Sequence, residues 1–162
     1  MTSKIREALK RYVAKDDSAP YEILNFAEQL LLAKLERQGL VSDPSVAGQM
    51  FRLRLANLER EEFHVMFLDT RHRVLAVEML FVGTIDGAEV HPREVVKRAL
   101  HYNAAAVILA HNHPSGESEP SAADRAVTVR LKQALALVDI RMLDHFVVSA
   151  SSATSMAARG WV

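Results

Sequence analysis

Apolar residues recur at spacings of three and four through the first third of the chain, then change to continuous runs and alternation beyond residue 62. Ile5, Leu9, Tyr12 and Val13 form the stripe of a short amphipathic helix, which Asp16 to Pro20 breaks. A second helix is predicted to open at Pro20, to carry Ile23, Leu24, Ala27, Leu30, Leu31 and Leu35 inward, and to stop at Gly39. Ser42-Asp43-Pro44 signals a third, running through Val46, Met50, Leu53 and on to Leu58 before the charged segment Glu59 to Glu62. The run Phe63 to Leu68 is aromatic and β-branched enough for a strand. Asp69 to His72 makes a turn, and Arg73 to Val82 completes a hairpin. After breaks at Gly83 and Asp86-Gly87, His91 to Glu94 opens a helix reaching about Tyr102, and Ala104 to Ala110 reads as a buried strand. A polar loop, HNHPSGESEPS, separates it from a helix over Ser121 to Val138 and a strand over Ile140 to Ser149; Ser149 to Ser155 reads as a loop. The order β-β-α-β-loop-α-β behind a helical N-terminus predicts the α/β (α+β) class, with a boundary near Gly39 to Pro44.

Composition narrows the function. The 162 residues fit one domain plus a small appendage, and 49% hydrophobic residues suffice for a core, which excludes wholesale disorder. No apolar run approaches the roughly 20 residues of a membrane span, and the first 15 residues lack a signal peptide's apolar middle, so a cytoplasmic address without membrane contact is expected. Twenty Lys and Arg balance twenty Asp and Glu, so the chain lacks the positive field of a dedicated nucleic-acid binder. Arg52, Arg54, Arg60, Arg71 and Arg73 are the nearest thing to a basic cluster and read as solvated; Phe51, Phe63 and Phe67 read as core. With no cysteine, any zinc site must be built from His, Asp and Glu.

One segment carries chemistry: His111-Asn112-His113-Pro114, six residues, then Ser121-Ala122-Ala123-Asp124. Alternate residues of an extended chain point the same way, so His111 and His113 present two imidazoles to one point while Asn112 faces elsewhere. Ser115-Gly116 folds the chain back, and Pro120-Ser121 starts a helix that places Ser121 and Asp124 one turn apart. Asp124 is then a third ligand, leaving tetrahedral zinc an open position for water, with Ser121 beside it. Taken alone, Ser121 to Asp124 is also a capping box, and a lone His-x-His is a weak signal; their conjunction after a buried strand is the strong one. For a general base, spacing leaves two carboxylates. Alternation puts Glu61 in register with Phe63, Val65 and Phe67, whereas Glu62 shares a face with His64 and Met66, and Glu61 is the candidate taken. His64, His72, His91, His101 and His145 are ascribed to packing, capping or surface, and His145 is left outside the site despite the neighbouring Asp144.

The HNHP-SG segment with Ser121 and Asp124 resembles the motif of the JAMM (MPN+) metalloprotease superfamily. With EEFHVMFLD, VHPREVVKRAL, LDHFVV and the closing ARGWV, residues 43 to 162 resemble the JAB domain of the RadC family. The resemblance implies a cytidine-deaminase-like fold with a mixed sheet flanked by helices and a zinc held by His111, His113 and Asp124. It further implies Ser121 stabilising the oxyanion and Glu61, two residues before the strand aromatic, as general base. Asn112 stands where many JAMM peptidases have Ser or Thr. Residues 1 to 42, read as a helical extension, lack the glycine-rich hairpins of a helix-hairpin-helix region, so the chain resembles a shortened form.

The leading expectation is a zinc metallopeptidase acting on a peptide or isopeptide amide in a protein or peptide substrate. The alternatives are a DNA-repair-associated factor that binds or cleaves nucleic acid, which the net charge does not support, and a non-catalytic interaction module. Oligomeric state stays open.

Overall fold

The computed structural model describes residues 3–13, 19–38, 44–83 and 89–162. Three helices come first: α1 (Ser3–Val13), α2 (Ala19–Gln38) and α3 (Pro44–Leu55). Then follow β1 (Glu62–Leu68), β2 (Val74–Val82), α4 (Pro92–His101), β3 (Ala106–Asn112), α5 (Ala122–Ala136), β4 (Arg141–Val148), β5 (Ala153–Ser155) and a closing 3-10 turn at Ala157–Arg159. Of the break expected over Asp16 to Pro20, residues 16–18 fall outside the described residues and Ala19 and Pro20 belong to α2; Ser42-Asp43, Asp86-Gly87 and most of the Gly39 to Pro44 boundary also fall outside them.

The five strands form one mixed sheet in the order β2-β1-β3-β4-β5. β1 runs antiparallel to β2 and β3, β3 and β4 are parallel, and β5 returns antiparallel to β4. Parallel neighbours need a crossover, which α5 supplies. The buried, β-rich runs of β1, β3 and β4 fit strands covered on both faces. On one face α3 packs Val46, Met50, Phe51 and Leu55 against Met66, Leu68, Ile108, Ala110, Phe146 and Val148. On the other, α4 and α5 bring Val95, Ala99, Leu131 and Leu135 to Phe63, Val65, Phe67, Val107 and Leu109. Phe51, Phe63 and Phe67 are core residues, as their pattern implied. Arg98 of α4 pairs with Glu78 of β2, which also accepts from the Tyr102 hydroxyl.

Several expected boundaries shift for physical reasons. α3 ends at Leu55 rather than reaching Leu58, because the chain must turn to enter β1. β3 runs on through His111, which pairs with β1 and β4, and Asn112, which pairs with β4, so the polar loop begins only at His113. The Ser/Ala-rich tail is not all loop: Ala153 to Ser155 add a strand to β4. Asp144 fastens it by accepting from Ser155 Oγ at 2.6 Å and from Ala157 N–H at 2.9 Å. Arg125 of α5 and Arg159 each bring a guanidinium over the Trp161 ring, linking this segment to α5. On α2, Leu30 is exposed rather than inward, and on α1 Leu9 is likewise exposed; the side chains of Ile5, Tyr12, Val13, Leu31 and Leu35 lie outside the described set.

Candidate metal centre

The site lies where β3 runs out. His111 is its penultimate residue, buried in the sheet, and His113 is the first residue beyond it, with the Asn112 side chain turned to the other face. The chain reverses through Gly116, whose φ of +91° is a region open to glycine. It then enters α5 at Ser121, the N-cap. The capping box is complete: Ser121 Oγ accepts from Asp124 N–H at 3.1 Å, and Asp124 Oδ2 accepts from Ser121 N–H at 2.6 Å. The cap thus aims Asp124 at the histidines. The two roles weighed for this motif coexist: Oδ2 serves the cap and also faces His113, and Oδ1 lies 3.1 Å from His111 Nε2.

His111 Nε2 and His113 Nε2 are 3.0 Å apart, and Asp124 Oδ2 is 3.4 Å from His113 Nε2. Ligands about 2.0–2.2 Å from a tetrahedral zinc lie about 3.3–3.6 Å from one another; the 3.4 Å pair falls in that range and the 3.0 and 3.1 Å pairs are slightly tighter. The donor chemistry fits too. The Glu117 carbonyl can only accept, so His113 Nδ1, 2.9 Å away, carries the proton, and in the neutral ring Nε2 points a lone pair into the cluster. Among the described residues, His111, His113 and Asp124 are the group whose ligand atoms converge for a metal ion. Burial opposes ionisation of Asp124, but the imidazoles of His111 and His113 beside it, with the Ser121 hydroxyl, outweigh it and hold its carboxyl well below the usual carboxylate range. The same contact with Asp124 raises His113, against the effect of burial.

An open cavity of about 480 Å³ exposes the cluster, with Glu61, Ser121, Phe63, Val127, Glu89 and Arg130 also on its wall. Glu61 and Glu62 part company as the strand alternates. Glu61 faces this cavity, whereas Glu62 turns to the α3 face and bonds His64 Nε2 at 2.8 Å. Phe63, the β1 partner of His111, stacks its ring nearly parallel to that imidazole.

Two contributions escape a reading of the residues alone. Asn112 Oδ1 accepts from Glu62 N–H at 2.8 Å and its amide donates to the Arg60 carbonyl at 2.9 Å, bracketing Glu61. His145, which sequence reasoning set aside, sits 2.9 Å from His111 Nδ1 and 2.6 Å from the Thr128 hydroxyl, fully buried. Burial, with His111 beside it, pushes His145 well below the ordinary imidazole range. The Asp144 carboxylate makes no contact with the His145 ring and instead accepts from Ser155 Oγ and from the backbone N–H groups of His145 and Ala157.

Residues 41–161 match the RadC-like JAB domain. The chain belongs to this family. It is 60% identical over 139 residues to a UPF0758 protein of Xanthomonas campestris pv. campestris (strain 8004), covering 86% of this chain and 62% of the relative. A UPF0758 protein of Xanthomonas oryzae pv. oryzae (strain PXO99A) is 58% identical over 139 residues, and one of Vibrio cholerae serotype O1 (strain M66-2) 53% over 140, with the same coverages. The chain thus spans 62% of the length of these curated relatives. JAB domains are JAMM-related, and the mixed five-stranded sheet with its helices is the JAB/MPN fold. Among the described residues no helix is long and apolar enough to cross a membrane.

Proposed function

We propose that the chain is a zinc-dependent hydrolase of the JAMM type, cleaving a peptide or isopeptide amide. The observation that carries this is the convergence of His111, His113 and Asp124 at the wall of a cavity that Glu61 and Ser121 also line. Zinc held there supplies a Lewis acid that brings the pKa of water from 15.7 to about 7. Glu61, on the cavity wall just before β1, takes a proton from the attacking water and returns it to the departing amine nitrogen. The Ser121 hydroxyl, which donates to Asp124 Oδ2 at 2.6 Å, redirects its proton toward the oxygen of the amide as negative charge develops. Phe63 and Val127 give the cavity an apolar wall beside the reacting groups.

The cavity's charge favours an amide over a phosphodiester. Glu61, Glu89 and Asp124 line it against the single guanidinium of Arg130, so zinc would bring the lining only to about neutral and a phosphodiester would find no positive field there. Nucleic-acid cleavage and a purely architectural role therefore rank below amide hydrolysis. The deciding experiment is hydrolysis of a peptide library and isopeptide-linked conjugates by zinc-loaded wild-type and Glu61→Gln proteins. Cleavage by the first and not by the second supports the proposal, and equal cleavage by both contradicts it.

A further inference from the structure

The hydrogen bonds behind His111 form a single directed chain through β3, β4 and α5. Thr128 lies one turn after Asp124 on α5, and its Oγ1 is 2.5 Å from the Asp124 carbonyl oxygen and 2.6 Å from His145 Nδ1. His145 Nε2 is in turn 2.9 Å from His111 Nδ1. A hydroxyl has one proton, and a backbone carbonyl can only accept. Two oxygens 2.5 Å apart without a proton between them would repel, so the Thr128 proton goes to Asp124. Its oxygen must then accept from His145, which places the His145 proton on Nδ1. Neutral His145 has a bare Nε2, so the bond to His111 is made by a proton on His111 Nδ1. That leaves His111 Nε2 with its lone pair directed at His113 and Asp124.

The opposite polarity reverses every link. If Thr128 donated to His145, His145 would donate to His111 Nδ1, and the remaining His111 proton would sit on Nε2, inside the ligand cluster, where it blocks coordination. Only the first polarity leaves each of the three contacts a hydrogen bond and Nε2 bare. Thr128 and His145 are fully buried and His111 very nearly so, which makes a missing partner in this chain costly.

We propose that Thr128 and His145 are positioning residues that fix the tautomer of His111, so that Nε2 is held ready as a metal ligand. This rests on the metal-dependent reading of the site and adds to it an anchor on the same helix as the third ligand. Residues behind a metal-bound histidine that set its tautomer typically affect metal affinity about 10–100-fold. In Thr128→Val, nearly isosteric but without the hydroxyl, nothing keeps the His145 proton on Nδ1, and the reversed polarity becomes open.

The test has two readouts on wild-type, Thr128→Val and Thr128→Ser proteins. Long-range proton–nitrogen NMR on histidine-labelled, metal-free protein reads the tautomer of His111. Competition against a chromophoric chelator reads zinc affinity. The proposal expects His111 protonated at Nδ1 in wild type and Thr128→Ser, with similar zinc affinities. It expects a population protonated at Nε2 in Thr128→Val, with affinity about 10–100-fold lower. Wild-type His111 protonated at Nε2, or Thr128→Val binding zinc as tightly as wild type, would overturn it while leaving the metal site standing. A wild-type protein that binds no zinc overturns the metal reading, and the proposal with it. Should Thr128→Val fail to fold, the wild-type tautomer decides the matter without a variant.

Discussion

The backbone N–H of Glu62 donates to Oδ1 of Asn112 at 2.8 Å, a bond that spans fifty residues of sequence and fixes the approach to β1. Asn112 returns a proton from its amide to the Arg60 carbonyl, so the residue on either side of Glu61 is tied to the strand that carries His111. The side chain between the two histidines therefore couples the base strand to the ligand strand. Asn112→Ala leaves Glu62 N–H and the Arg60 carbonyl without these partners, each partly buried, at about 1–3 kcal/mol per group. Urea unfolding should show that loss, while zinc binding persists because the ligands are untouched. Unchanged stability would show that the bonds are replaced by solvent.

Ser121 combines a helix cap with a place beside the reacting groups, and two substitutions separate the roles. Ser121→Ala should lower stability by about 1 kcal/mol, whereas Ser121→Gly should cost only a few tenths. Both should lose most turnover if the hydroxyl meets the developing oxyanion, since one such donor is worth about 10²–10³ in kcat. Turnover that follows stability, falling in the alanine variant alone, would assign Ser121 to the cap only.

His64 predicts an acid sensitivity that has nothing to do with metal. Burial pushes it below its ordinary 6.5, against the opposing hydrogen bond that its Nε2 donates to Glu62. Its Nδ1 has no partner among the described residues, which is tolerable only while that atom is a bare acceptor. Between the lowered folded value and 6.5 the unfolded chain binds the extra proton, so this stabilisation is present above pH 6.5 and lost as pH falls. The slope is at most about 1.4 kcal/mol per pH unit. Denaturant midpoints of wild type and His64→Gln, measured from pH 7 down to pH 5, should converge or cross as wild type loses this contribution. Parallel curves would refute it.

Much of the site could be read from the chain because it is local. His111 to Asp124 occupy fourteen consecutive positions, and strand alternation followed by a helix cap is enough to bring their ends together. Alternation also separated Glu61 from Glu62, because Glu62 opens β1 and Glu61 is the residue directly before it. What could not be read depends on a bulge. β3 and β4 pair Val107 with Met142 but Ile108 with Asp144, leaving Leu143 extra. Strict alternation from Met142, which packs among α4 and α5, would send Asp144 to the metal face and His145 away. The bulge exchanges them, placing His145 behind His111 and freeing Asp144 to bind β5. That three-residue strand of small side chains was equally hidden, since it is held by a side chain eleven positions earlier and not by its own pattern.

The most direct test of the account is the metal content of untagged protein by elemental mass spectrometry, beside His113→Ala. The account predicts near-stoichiometric zinc in wild type and its loss in the variant. Wild-type protein that stays metal-free after zinc addition and dialysis would contradict it, reducing His111, His113 and Asp124 to a strand end and a helix cap.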